Sequence, residues 1–287
     1  MAASMQDKLV LISGATRGIG AETALELAQM GAQVIVTGRD PARLDSIVGQ
    51  IHANGGQADG FTADLSLLKE VNRLADEILA RYPRLDVLIN NAGALFLRRQ
   101  VSSEGIEMTW ALNHLSPFLL THRLLDLVKA SRSGRVITVS SDAHYRGTIH
   151  FDDLEGKRGY TGMRAYSQSK LANVLFAYEL ARRLEGERVT SNALHPGFVA
   201  SHFARNNGWL VDAAMHLVHL AAIPIREGAQ TSVYLASSAE VEGVTGKYFE
   251  RKKAVQSNPE SCNLAVAARL WEISLEMTGL SAPEGRN

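Results

Sequence analysis

Short apolar runs alternate with longer amphipathic stretches along most of the chain, and this alternation constrains the fold more than any other feature. A strand over residues 9–12 is followed by a helix over 18–30 and by a second strand over 33–37. Strands that are apolar throughout are typical of a parallel sheet with helices on both faces. The pattern predicts an α/β protein with a doubly wound parallel sheet.

The alternation continues without a linker, an internal repeat or a low-complexity segment. Asp40 followed by Pro41 is the signal for the start of the second helix. Further strands are predicted over 58–62, 86–89, 135–139 and 189–194, and further helices over 41–53, 66–81, 104–130 and 164–184. We therefore expect a single domain over residues 8–287, preceded by a disordered or tail segment over 1–7.

Two segments interrupt this rhythm, at residues 141–163 and 202–224. Each follows a predicted strand, and in open α/β sheets ligands bind beyond the carboxyl ends of the strands. We expect both segments to overhang that edge, with 202–224 forming a substrate lobe. Residues 211–223 of this lobe are amphipathic, which favours a pocket or interface helix and leaves contact with a membrane surface as the alternative.

Composition excludes several classes of protein. The formal net charge of zero gives no broad attraction to nucleic acid, and no apolar stretch reaches the roughly 20 residues that span a bilayer. The short polar amino terminus carries no secretory signal, and Cys262, the single cysteine, excludes an intrachain disulfide. His202, His216 and His219 lack a carboxylate or cysteine that would complete a metal site. We expect a cytoplasmic protein with no metal, no nucleic-acid partner and no integral membrane segment.

A glycine-rich turn, Gly14-x-x-x-Gly18-x-Gly20, directly follows the first strand. Glycines allow such a turn to be tight and let the backbone approach a pyrophosphate, whose charge the N–H groups of the next helix can bind. A purely structural turn is the alternative. The predicted pyrophosphate-binding residues are Gly14, Thr16, Arg17, Gly18, Ile19 and Gly20.

The end of the second strand bears on the choice between NAD(H) and NADP(H). An acidic side chain there usually holds the ribose 2′-hydroxyl in NAD sites, whereas this chain has Arg39 and, nearby, Arg17. Guanidinium groups can bind a 2′-phosphate through planar, charge-assisted contacts. The sequence favours NADP(H) and leaves NAD(H) possible, with two solvated arginines as the alternative.

Small and polar residues follow the third and fourth strands at the same edge of the sheet. Asp64 can contact the adenine of a cofactor or can instead cap the next helix. Residues 90–93 fit close passage of the backbone along a cofactor, although they can also form a simple turn. The predicted contacts are Asp64, Leu65, Asn90, Ala92 and Gly93.

Tyr166 and Lys170 are four residues apart in a predicted helix and therefore share one of its faces. A tyrosine with a pKa of about 10 is a poor acid or base at neutral pH, but a neighbouring ammonium lowers that pKa. Ser141, after the fifth strand, can hydrogen-bond a carbonyl oxygen on which negative charge develops. By itself the spacing also fits an ordinary amphipathic helix. His195 is expected to pack at the end of its strand.

In kind and in order, these motifs resemble those of the short-chain dehydrogenases/reductases. The resemblance covers residues 8–249, and it implies a Rossmann fold with a seven-stranded sheet. The motifs that carry it are the glycine turn, residues 90–93, Asn113, Ser141, Tyr166 with Lys170, and Pro196-Gly197.

The resemblance also implies a role for each of these residues. Tyr166 would be the general acid/base, and Lys170 would lower its pKa and bind the ribose. Ser141 would orient the carbonyl, and Asn113 would hold a water of the proton relay. Asn90 and the turn at Pro196 and Gly197 would line the nicotinamide and its ribose, with Val199 and Ser201 continuing the cofactor contacts.

Finer similarity, at residues 112–115, 140–144, 149–154 and 166–173, is to the retinol-dehydrogenase-like branch. It implies NADP(H) and a small lipophilic carbonyl or alcohol substrate, such as a retinal-like aldehyde, a ketone or a steroid-like compound. Family membership further implies a homodimer or homotetramer. Two other functions stay open: a redox sensor that binds the cofactor without turnover, and a carbonyl reductase of broad specificity.

Overall fold

The computed structural model describes residues 4–197 and 224–280. In this part of the chain one sheet has the order β3-β2-β1-β4-β5-β6-β7-β8. The strands are β1 (Leu9–Ile12), β2 (Gln33–Gly38), β3 (Gln57–Thr62), β4 (Val87–Asn90), β5 (Gly134–Val139), β6 (Val189–His195), β7 (Tyr248–Glu250) and β8 (Lys253–Val255). The helices are α1 (Gly18–Gln29), α2 (Pro41–Ala53), α3 (Leu68–Arg81), α4 (Met108–Trp110), α5 (Ser116–Lys129), α6 (Gly162–Arg183), α7 (Ile225–Ser237) and α8 (Leu264–Thr278).

The sheet has eight strands, so the predicted seven-stranded, wholly parallel sheet was wrong at one edge. β8 pairs antiparallel with β7 across a two-residue turn, in which Arg251 and Lys252 have φ of 48° and 66°. A tight hairpin needs this left-handed pair, which glycine and asparagine usually supply. Because neither is present and β8 is only three exposed residues long, the sequence carries no clear hairpin signal.

β1 lies at the point where the winding of the sheet reverses. Val10 pairs with Val34 of β2 on one side and with Val87 of β4 on the other, both in parallel register. Side chains of β1 alternate between two cores. Leu11 packs towards α3, α5, α6 and α8, whereas Ile12 packs towards α1, α2 and α7. Loops after β1 and β4 therefore leave the same sheet edge side by side, which creates a ligand-binding crevice.

The helix predicted over 104–130 is interrupted. Glu107 caps α4, since its carboxylate accepts the N–H groups of Thr109 and Trp110 at 2.9 and 2.8 Å. A π-helical turn, Ala111–Leu115, then joins α4 to α5. Such turns are rare and occur frequently at functional sites, and Asn113 lies at the centre of this one.

Other expectations fall at the edges of the described residues. The predicted tail over 1–7 includes Met5, which is buried and donates its N–H to the carbonyl of Met30. The expected substrate lobe at 202–224, except for Pro224, lies outside the described residues, as do His202, His216 and His219. Within residues 4–197 and 224–280, none of the helices combines the length and apolar character needed to span a bilayer.

The buried His114 makes the stability of the fold sensitive to acid. Burial lowers its pKa to about 3, and its Nε2 lies 2.8 Å from Ser274 Oγ. Below about pH 6.5 the unfolded chain binds a proton at this histidine while the folded chain does not, so stability falls as pH falls. We expect urea unfolding to show that His114→Gln removes up to about 1.4 kcal/mol per pH unit of this dependence between pH 6.5 and 3.

The matched control for this experiment is His150→Gln, because His150 is exposed. It should leave the pH dependence of the unfolding free energy unchanged. The same slope in wild type and His114→Gln would contradict the assignment to His114.

Candidate dinucleotide and catalytic site

The carboxyl ends of the strands open into a cavity of about 490 Å³, which lies in the size range of small-molecule sites. Loops from several strands line it together with α6. Of the residues predicted from the sequence, those that line it are Gly14, Thr16, Arg17, Gly18, Ile19, Gly20, Arg39, Asp64, Leu65, Ala92, Gly93, Ser141, Tyr166, Lys170, Pro196 and Gly197. Asn90 and Asn113 do not line it, and Val199 and Ser201 lie outside the described residues.

The glycine turn after β1 is shaped by close backbone contacts. Gly14 has φ of 65°, and a Cβ there would lie 2.9 Å from Ala92 Cα. A Cβ at Gly20 would lie 2.6 Å from the carbonyl oxygen of Gly14. The turn leads directly into α1, which begins at Gly18, and the N–H groups at this end of the helix suit an anion. This geometry fits a pyrophosphate.

Asn91, rather than Asn90, faces the cavity. Its amide nitrogen donates to the carbonyls of Ser13 and Gly14 at 2.9 and 3.1 Å. Asn90, placed by the sequence beside the nicotinamide ribose, instead donates to Thr121 Oγ1 of α5 at 2.9 Å. Successive residues of a strand point to opposite faces, and this alternation at the end of β4 would have singled out Asn91.

The structure excludes one of the two interpretations of Asp64, the capping of the next helix. Its carboxylate accepts hydrogen bonds from the N–H and Oγ of Ser66 at 3.0 and 2.7 Å, and α3 begins only at Leu68. Glu104 from a distant loop accepts the N–H groups of Leu68 and Lys69. Asp64 therefore does not cap α3, and it lines the cavity together with the exposed Arg39.

Tyr166 and Lys170 are both buried on the face of α6 that meets the sheet. Lys170 Nζ donates to the carbonyl of Val139 at 3.0 Å and lies 5.6 Å from the ring centroid of Tyr166. Ser141 hydrogen-bonds the Tyr166 hydroxyl. A Cβ at Gly93 would lie 3.3 Å from Lys170 Nζ, so glycine keeps the approach to this amine open. Three of the four predicted catalytic side chains, all except Asn113, thus lie on a single cavity.

Burial dominates the electrostatics of this group. It raises the pKa of the Tyr166 phenol above its usual value, and the hydrogen bond from Ser141 only partly offsets this. It also lowers the pKa of Lys170 to about 8. The sequence argument expected Lys170 to lower the pKa of Tyr166, which this structure does not show. The reason is that burial of the phenol outweighs any effect of the ammonium, whose Nζ donates to the Val139 carbonyl.

Asn113 acts from behind the cavity. Its Oδ1 accepts the N–H of Ala94 at 2.9 Å, and its Nδ2 donates to the Ala94 carbonyl and to Ser169 Oγ, both at 3.0 Å. The side chain thereby joins the loop after β4 to the π-helical turn and to α6. This anchoring keeps the cavity wall at a fixed distance from Lys170.

One wall of the cavity is apolar and was not identified from the sequence. It consists of Leu95, Phe96, Met108, Leu112 and Met163. Met163 lies three residues before Tyr166, so the spacing along α6 would have found it.

Asp142 and His195 are polar residues that also line the cavity. The Asp142 N–H donates to His195 Nδ1 at 3.2 Å. The sequence expectation that His195 packs at the end of its strand is thus confirmed.

A doubly wound sheet, a glycine turn at its switch point and a Tyr–Lys pair on the same cavity define a dinucleotide-dependent dehydrogenase. The family model of the short chain dehydrogenases matches residues 8–208. The chain belongs to this family, and it is an NAD(P)-dependent oxidoreductase acting on CH–OH donors.

Within the family the chain is retinol-dehydrogenase-like. It is 44% identical to retinol dehydrogenase 14 of Homo sapiens, over 96% of this chain and 88% of the relative. It is 40% identical to retinol dehydrogenase 12 of Mus musculus, over 95% of this chain and 87% of the relative.

Solved structures share the fold. An uncharacterised protein from Mycobacterium paratuberculosis has a TM-score of 0.81 and 32% identity, with 98% of this chain and 97% of that chain covered. The RhlG/NADP active-site complex of Pseudomonas aeruginosa has a TM-score of 0.70 and 28% identity, with 86% and 95% covered.

The close contacts at Gly20 predict that Gly20→Ala damages the cofactor site. The added methyl would press on the Gly14 carbonyl and on Asn91, and overpacking of this kind costs about 1–3 kcal/mol. We expect a lower Tm and a weaker NADPH affinity, measured by thermal melting and by fluorescence titration.

Gly49→Ala is the matched control, because nothing lies within 4 Å of a Cβ at Gly49 in α2. It should raise stability by up to about 1 kcal/mol and leave NADPH binding unchanged. Wild-type affinity in Gly20→Ala would show that the turn does not hold the cofactor.

Proposed function

We propose that this enzyme transfers a hydride between NADP(H) and a lipophilic carbonyl or alcohol, with Tyr166 as the general acid/base. The observation that carries the proposal is the cavity itself. Tyr166, Lys170 and Ser141 line it together with apolar side chains and with the glycine turn.

The lining residues fit a dinucleotide. The glycine turn and the amino terminus of α1 would hold the pyrophosphate, and Arg39 and Arg17 would bind the 2′-phosphate of NADP(H). When bound, the nicotinamide supplies or accepts the hydride. The remaining cofactor contacts that we propose are Asp64 and Leu65 at the adenine, and Ala92, Gly93, Lys170, Pro196, Gly197, Val199 and Ser201 towards the nicotinamide.

The chain's own groups manage the proton. In the reductive direction the Ser141 hydroxyl, which donates to Asp142 Oδ1 in this structure, would rotate to donate to the carbonyl oxygen while negative charge develops there. Tyr166 then gives its proton to that oxygen, and its raised pKa ensures that the phenol carries this proton at neutral pH. Lys170 is still charged below its pKa of about 8, so it stabilises the phenolate that remains. Because its side-chain amide is bound to Ala94 and Ser169, Asn113 would use its backbone carbonyl to hold a water that returns a proton.

The apolar wall supports a lipophilic substrate. Leu95, Phe96, Met108 and Met163 offer no charge to a ligand, and burial of carbon against such side chains favours aldehydes, ketones or steroid-like compounds. The names of the relatives, retinol dehydrogenases, support a retinal-like aldehyde as the first substrate to test. We further propose a homodimer or homotetramer, which the resemblance to the family supports, and a cytoplasmic location, with which the single cysteine is compatible.

Replacing Tyr166 by Phe removes the proton donor and keeps the ring. We expect retinal reduction with NADPH to fall by about 10²–10⁴-fold, measured as initial rates, because this is the usual contribution of general acid catalysis. The dissociation constant of NADPH should change little.

Tyr178→Phe on the same helix is the control, since its hydroxyl bonds Ser257 away from the cavity. Retained turnover in Tyr166→Phe would reject the assignment. Tight NADPH binding by a wild type that reduces no carbonyl would instead favour a redox sensor, and similar rates across a wide panel would favour a broad carbonyl reductase.

Arg39→Ala tests the choice of cofactor. Losing charge-assisted hydrogen bonds at an exposed site should raise KM for NADPH by about tenfold, whereas KM for NADH should stay constant. Steady-state kinetics with both cofactors measure this.

Arg132→Ala is the control, because Arg132 is exposed and precedes β5 at the opposite end of the strands. Equal NADPH affinity in Arg39→Ala and wild type would reject the role of Arg39.

A further inference from the structure

The position of Ser141 depends on a short turn that follows it. Ser141 is the N-cap of the 3₁₀ helix Asp142–Arg146, and its hydroxyl accepts the N–H of Ala143 at 3.2 Å while donating to Asp142 Oδ1 at 2.9 Å. A hydroxyl that is bound to its own turn moves with the backbone of that turn. Whatever holds this backbone therefore also aims the hydroxyl at the cavity.

His144 holds the backbone of Ser141. Its side chain is fully buried, and its Nδ1 lies 2.6 Å from the Ser141 carbonyl oxygen. The backbone N–H of His144 donates to the same oxygen at 3.1 Å. The ring packs against Tyr145 and Tyr248, with centroid distances of 4.0 and 4.4 Å. The imidazole is thus held by a hydrogen bond at Nδ1 and by ring contacts with Tyr145 and Tyr248.

The tautomer of His144 follows from its second partner. Nε2 lies 3.2 Å from the backbone nitrogen of Asn258, which can only donate. Nε2 must therefore accept, so the ring proton is on Nδ1 and points to the carbonyl of Ser141. Burial, with a smaller contribution from nearby His195, lowers the pKa of His144, while the Ser141 carbonyl and Asp142 oppose this, so the neutral ring is favoured.

Asn258 closes the turn from another part of the chain. Its side-chain amide is buried and donates to the carbonyls of His144 at 3.0 Å, Tyr145 at 3.3 Å and Gly147 at 3.3 Å. Asn258 follows β8 and lies beyond residues 8–208, which the family model matches. Its backbone and side chain together bind His144 and the three carbonyls around it.

We propose that His144 is a positioning residue for Ser141, and that Asn258 fixes the tautomer with which His144 does so. This deepens the proposed function and rests on it, since it concerns the hydroxyl that we place on the substrate carbonyl. The segment after β8 thereby completes the catalytic site without reaching the cavity.

A double-mutant cycle tests the proposal with the full-length protein. His144→Phe keeps the packed ring and removes the donor, so kcat for retinal reduction should fall about tenfold or more, short of the loss caused by Ser141→Ala. In the Ser141→Ala background the same change should alter kcat by less than about twofold, because the group that it positions is gone. Losses of equal size in both backgrounds would overturn the proposal.

Two further variants separate positioning from general stability. In His144→Asn the amide N–H can take the place of Nδ1–H, so kcat should recover towards wild type. The ring of Tyr248 packs against the ring of His144, and its buried hydroxyl has no hydrogen-bond partner among the described residues. Tyr248→Phe removes only this hydroxyl and should leave kcat unchanged. A loss of kcat in Tyr248→Phe equal to that in His144→Phe would reduce His144 to a packing residue and overturn the proposal.

A measurement on the wild type needs neither a variant nor turnover. Nitrogen-15 NMR of labelled histidines should show His144 neutral and protonated on Nδ1 at neutral pH. Asn258→Pro, which removes the N–H that Nε2 accepts and suits the φ of −51° at this position, should change the Nε2 shift. If the enzyme is active but His144 carries its proton on Nε2, the proposed role of His144 is overturned and the proposed function stands. A wild type that reduces no carbonyl, retinal included, would overturn the proposed function and this role with it.

Discussion

The site depends on the parallel pairing of β1 with β4. Their register, with Val10 opposite Val87, brings the glycine turn and the turn after β4 to the same edge of the sheet. Ser13 Oγ then accepts the N–H groups of Asn91 and Ala92 at 2.9 and 3.1 Å, which joins the two turns. If β4 slipped by one residue against β1, Asn90 and Asn91 would point to the opposite faces of the sheet. The side-chain amide of Asn91 would then no longer reach the glycine turn.

The same burial that stabilises the sheet also shifts the pKa values of Tyr166 and Lys170. Lys170 can reach the Val139 carbonyl only because α6 packs directly on β5. In this dry layer the phenol of Tyr166 is favoured over the phenolate, and the pKa of the amine falls to about 8. Packing thus keeps the phenol protonated and lowers the pH at which Lys170 loses its charge, and both effects follow from desolvation.

Support for the site extends well beyond the segments that line it. Asn258 holds the turn after Ser141, and Ser274 of α8 lies within hydrogen-bonding distance of His114 in the π-helical turn. Asn113 in that turn binds Ala94 behind the cavity wall. The carboxyl-terminal part of the chain therefore stabilises groups that the amino-terminal two thirds supply, which accords with relatives that match over almost the whole chain.

The sequence by itself determined the α/β class, the limits of the first six strands to within a residue, the glycine turn and the spacing of Tyr166 and Lys170. These features are local, because side-chain periodicity and turn chemistry act over a few residues. Only the tertiary structure showed that β8 is antiparallel, that Asn91 rather than Asn90 lines the cavity and that the pKa of Tyr166 is raised. Strand pairing, side-chain direction and desolvation depend on segments that are distant in sequence and meet only in the folded protein.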